Sequence, residues 1–76
     1  MNVAIKYYES LAHYEVKRDK PGIYNASLVF YEGDPKKSPP AALTLVRGIR
    51  RWTGSDENEI FLNELGNQIG TALRGE

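Results

Sequence analysis

The chain has 76 residues, no cysteine, 41% hydrophobic residues, and ten Lys+Arg against ten Asp+Glu. That length predicts a single domain, residues 1–76, with a thin core, since a chain of this size buries only about 60% of its unfolded surface. The composition excludes disulfides and thiolate metal sites and argues against disorder, and the zero formal charge removes the long-range field of a strongly basic nucleic-acid binder.

Residues Met1–Tyr8 lack a basic n-region and a long apolar run, so they do not read as a signal peptide. No stretch of 18 apolar residues occurs, so the expectation is a cytoplasmic protein without a membrane span. Val3, Ile5 and Tyr7 alternate with Ala4, Lys6 and Tyr8, which predicts a short strand. Helical spacing of Ile5, Tyr8 and Ala12 keeps a helix over residues 2–12 as the alternative. Residues 12–18 alternate more cleanly, with Ala12, Tyr14 and Val16 on one side and His13, Glu15 and Lys17 on the other.

Asp19-Lys20-Pro21-Gly22 predicts a turn, because proline presets the first central φ and glycine accepts the positive one. Residues 23–31 predict a strand with Tyr24, Ala26, Leu28 and Phe30 on its apolar face, paired in a hairpin with residues 12–18. Gly33–Pro40 is a loop whose three prolines bar a central strand. Ala42–Trp52 predicts a further strand with Leu43, Leu45 and Ile49 on one face. Gly48 inside it suggests a bulge that leaves the side taken by Trp52 open.

A helix follows over about Asp56–Leu73, capped by Ser55 or Asp56, with Glu59 completing a capping-box-like pattern. At about 100° per residue, Phe61, Leu62, Leu65, Ile69, Ala72 and Leu73 share one arc, which is the core face. Ile60 falls opposite it, and Gly66 and Gly70 sit one turn apart at its edge. The expected fold is therefore α+β: a three- or four-stranded antiparallel meander with one C-terminal helix on one face. One helix covers one side of a sheet, so the other side faces water, a partner or a second copy.

The zero net charge conceals two opposed segments. Residues 1–54 carry nine Lys+Arg and five Asp+Glu; residues 55–76 carry one Arg and five Asp+Glu. Arg47, Arg50, Arg51 and Trp52 form the richest stretch, because guanidinium pairs with phosphate and indole stacks on bases. Lys36 and Lys37 in the preceding loop, with Tyr31 before them, extend this candidate partner-binding set. The plainer account puts Trp52 in the core and pairs the arginines with Asp56, Glu57 and Glu59. The tyrosines suit either an interface or ordinary cross-strand packing. His13 is the only histidine, and no catalytic, metal or cofactor motif accompanies it. Neither a G-x-G-x-x-G nor a P-loop pattern occurs.

Together these features predict a non-enzymatic binding module, without cofactor or metal. Its expected partner is a second copy, as a homodimer, or another protein, met through the open sheet face. The alternative is a weak nucleic-acid binder using the arginine–tryptophan strand and the lysine loop.

Overall fold

The computed structural model describes residues 1–74. Five strands form one antiparallel sheet in sequence order: β1 (Asn2–Tyr7), β2 (Ser10–Lys20), β3 (Ile23–Tyr31), β4 (Ala42–Arg47) and β5 (Trp52–Gly54). A 3-10 turn spans Pro35–Lys37, and one helix, α1 (Glu59–Arg74), ends the described chain. The class and the C-terminal helix are those expected, and residues 2–12 form β1, a turn and the start of β2 rather than a helix. The strand count is corrected from three or four to five.

The fifth strand arises at Gly48. The Gly48 N–H donates to the Arg51 carbonyl at 3.1 Å, and a Cβ at Gly48 would collide with that oxygen. The expected Ala42–Trp52 strand is thus folded into a tight hairpin, and Ile49 leaves the Leu43/Leu45 face for the loop apex. Between β2 and β3, Gly22 supplies the positive φ of +81° that the Pro-Gly turn requires. Between β1 and β2, Tyr8 and Glu9 both adopt positive φ, 47° and 66°. Two such residues match the twist of a two-residue hairpin, although side chains there are strained.

A second departure occurs in β3. His13 pairs with Phe30 while Tyr14 pairs with Leu28, so Val29 is an extra residue in the ladder. This bulge reverses the alternation of every residue after it. Tyr24, Ala26 and Leu28 face the helix as expected, but Phe30 is turned to the opposite side, and Tyr31 takes the inward place beside Ala12.

The helix begins later than predicted. The Asn58 side chain accepts from the Phe61 N–H at 3.1 Å, and its carbonyl takes the first helical hydrogen bond from Leu62. Asn58, rather than Ser55 or Asp56, is therefore the N-cap. Asp56 supports it, accepting from the Asn58 N–H at 3.1 Å. Phe61, Leu62, Leu65 and Ile69 are buried as their spacing predicts, against Val3, Ile5, Tyr14, Val16, Leu45 and Trp52.

α1 touches both outer strands, β1 and β5, so the sheet curls around it. Phe61 meets Tyr7 of β1 with ring centroids 5.2 Å apart. On the other side Asn63 Oδ1 accepts the Trp52 N–H of β5 at 3.1 Å, giving that edge donor a partner. Trp52 is 6% exposed, and its ring lies where a Cβ on Gly66 would stand. Gly70, also buried, has open space in the Cβ direction. None of the described helices is long and apolar enough to cross a membrane.

Tyr14 is fully buried, and its hydroxyl donates to the Pro40 carbonyl at 2.7 Å, fastening the long β3–β4 loop to the core. Burial pushes its phenol well above the ordinary value of 10.0, with smaller contributions from Tyr7 and Asp56.

Two stability outcomes are expected. Gly66→Ala drives a methyl into the indole and should cost about 1–3 kcal/mol as overpacking, whereas Gly70→Ala should raise stability by up to about 1 kcal/mol. Urea unfolding of both variants checks this, and equal effects would refute the assigned packing. In the second, the fold holds Tyr14 protonated at a pH where the unfolded chain ionises it. The contribution of Tyr14 to stability should therefore be constant below pH 10.0 and fall as pH rises past it. Tyr14→Phe should lose about 1 kcal/mol at neutral pH yet show a shallower alkaline decline.

Candidate functional site

The covered and uncovered sides of the sheet have different chemistry. On the uncovered side the register aligns Lys6 with Leu11, Ala4 with His13 and Phe30, and Asn2 with Glu15, Ser27 and Ala42. Lys17, Asn25 and Thr44 form the next row. Phe30 is 59% exposed and Val29 66% exposed; Leu11 is exposed beside them. With Ala4 and His13, Val29 and Phe30 line a shallow groove of about 410 Å3.

The bulge at Val29 brings Phe30 into this patch. Regular alternation would leave Val29 outward and point Phe30 under the helix. His13 stacks on Phe30, with ring centroids 6.0 Å apart and planes at 29°. Its Nε2 lies 2.7 Å from a carboxylate oxygen of Glu32. The sequence therefore places Phe30 on the wrong face, although it does put Val29 on the uncovered one. Four consecutive alternating residues gave no sign of an inserted fifth. Only the local crowding of apolar residues at Leu28, Val29 and Phe30 hinted at it.

The candidate basic set divides into two places. Lys36 and Lys37 lie on the 3-10 turn, in a cleft with Tyr7, Tyr8 and Ser38, at the end of the sheet that carries the β1–β2 turn. Tyr31 belongs to this end: its hydroxyl donates to the Tyr7 carbonyl at 2.9 Å and its ring packs edge-on against Tyr7. Arg47, Arg50 and Arg51 sit at the other end, in the β4–β5 hairpin. Trp52 is turned inward beneath them and offers no open face for stacking. Arg47 covers its ring at 5.9 Å from the centroid. Of the three acids expected to pair with the arginines, Glu59 does so, 3.7 Å from Arg51 across an exposed surface. A pair of that kind contributes under about 1 kcal/mol.

No known family matches the chain. Comparison with protein-family models, with curated proteins and with solved structures gives no significant match to any of them.

The described residues contain no group of three or more His, Cys, Asp or Glu arranged to hold a metal ion. His13 has Glu32 as its partner and stands on an open strand surface beside the apolar patch. At the bulge the uncovered face has an apolar centre of Leu11, Val29 and Phe30, with Lys6 and Glu32 at the Leu11 end and Glu15 and Lys17 further along β2.

Proposed function

We propose that this protein is a non-enzymatic interaction module that pairs with a second copy of itself through the uncovered sheet face around Val29 and Phe30. The observation that carries this reading is the bulge, which turns Phe30 outward beside the already outward Val29 on a domain whose core is covered by α1. Clustered apolar side chains on a small domain mark association surfaces.

The occupant is a second copy for two reasons. A two-fold pairing places the same patch on both sides, and the rim is complementary to itself, since Lys6 and Lys17 of one copy can meet Glu15 and Glu32 of the other. The chain also carries no net charge, so two copies approach without mutual repulsion. Pairing by strand addition is less suited. The β5 edge spends an N–H on Asn63, and β1 is packed beside α1 at Tyr7.

Sedimentation equilibrium at micromolar to millimolar concentration tests the reading. Wild-type protein should show twice the 8.6 kDa chain mass. Phe30→Asp, which buries an unpaired carboxylate at the centre of the patch, should weaken pairing by at least about 100-fold. Unchanged far-ultraviolet circular dichroism should accompany the loss. A wild-type monomer throughout that range would overturn the proposal.

A further inference from the structure

The ladder gathers at one end of the molecule cations that lie far apart in the chain. The β2 end contributes Lys17, Arg18 and Lys20, and the β4–β5 hairpin contributes Arg47, Arg50 and Arg51. The two hairpin ends are joined directly: the Arg47 N–H donates to the Gly22 carbonyl at 2.8 Å, and Lys20 pairs with Ile23, which pairs with Val46. Six of the ten Lys+Arg residues therefore gather at this end. Three are on β2, Arg47 is at the end of β4, and Arg50 and Arg51 are in the β4–β5 turn, with β3 between the two groups. Asp19 lies among them on β2, and Glu59 is engaged by Arg51.

At the apex of this end stands Ile49, fully exposed. Its loop is tight, closed by the Gly48–Arg51 hydrogen bond and admitting no side chain at Gly48. A lone exposed isoleucine is ordinary on a protein surface. This one is held outward on a constrained turn with arginines before and after it. Edge protection explains lysines and arginines on the part of β2 beyond its pairing with β1, since charges there block strand addition. It does not explain Ile49 or Arg50, which lie in a loop.

We propose that this end binds duplex nucleic acid, with the cations on the phosphate backbone and Ile49 pressed into the minor groove as an apolar wedge. Minor-groove binders combine arginine with inserted aliphatic side chains in this way. Single-strand binders instead need aromatic platforms, and here Trp52 and Tyr24 are both buried. An anionic bilayer would also attract these cations. Its interface, however, favours exposed tryptophan and tyrosine at the contact, whereas this apex carries a single aliphatic side chain among planar guanidinium groups suited to phosphate.

Fluorescence anisotropy with an end-labelled random duplex of about one to two helical turns tests this proposal. Wild-type affinity should fall about 100-fold between 50 and 200 mM salt, as four or so phosphate contacts require. The combined variant Arg18→Gln/Lys20→Gln/Arg50→Gln should bind at least about tenfold more weakly and show a salt slope lower by two to three. Lys36→Gln/Lys37→Gln, at the opposite end, should bind as wild type does. Ile49→Ser should keep the salt slope but lose the duplex bending seen as energy transfer between end labels. Near-ultraviolet circular dichroism of Trp52 confirms folding of each variant. No binding at low salt, an equal loss in the Lys36/Lys37 variant, or binding to phosphatidylserine vesicles alone would each overturn the assignment. Bending unaffected by Ile49→Ser would overturn the wedge.

Discussion

The indole of Trp52 rests on the backbone of Gly66, and the position of α1 follows from that contact. A helix carrying any side chain at residue 66 would stand further from β5, and Asn63 would then fall short of the Trp52 N–H, which it accepts at 3.1 Å. Held close at β5, the helix reaches across the curled sheet to β1, where Phe61 packs on Tyr7 and Tyr14. One glycine thus lets a single helix fill the core and guard both sides of the sheet. The cost is about 1 kcal/mol of helix propensity, outweighed by burial of the largest side chain in the protein.

The same arrangement explains why the sheet has two unlike faces. All fourteen buried hydrophobic residues belong to one core cluster, with the helix at its centre. None of the described elements covers the opposite side, yet the bulge at Val29 delivers Phe30 there. The contact surface at the bulge and the cationic end at Arg47–Arg51 both arise where the ladder is interrupted. Regular alternation builds the core, and irregularities set what the surface presents.

Much of the core was legible in the sequence for the same reason. Phe61, Leu65 and Ile69 recur at helical spacing, and Tyr14, Val16, Tyr24 and Ala26 alternate, so periodicity alone assigns their faces. Phe30 was not legible, because it follows an interruption whose presence depends on the partner strand; at Ile49 the break was signalled by Gly48, but its form, a hairpin rather than a bulge, was not. A bulge is a property of a pair of strands, and one strand read alone continues its alternation through it. The grouping of Arg18 and Lys20 with Arg47 depends likewise on which hairpin ends become neighbours. Lys36 and Lys37 lie closer to Arg47 in sequence, yet proline-rich loop geometry carries them to the Tyr7–Tyr8 end. Asn58 was missed as the cap because Ser55 and Asp56 offer equally good capping chemistry; Asp56 instead holds Asn58 in place.

Packing of Phe61 on Tyr7 also has a kinetic meaning. β1 and α1 are the first and last described elements, and the core closes only when they meet. A chain emerging from the ribosome has its strands available before the helix exists, and during that interval the inner faces of β1, β2 and β3 are open to solvent. Contacts between such distant segments carry a large loop-closure entropy, which slows folding relative to helical proteins of similar size. The chain is thus most vulnerable to aggregation through its future core in the interval after β5 is made and before residues 59–74 have folded over it.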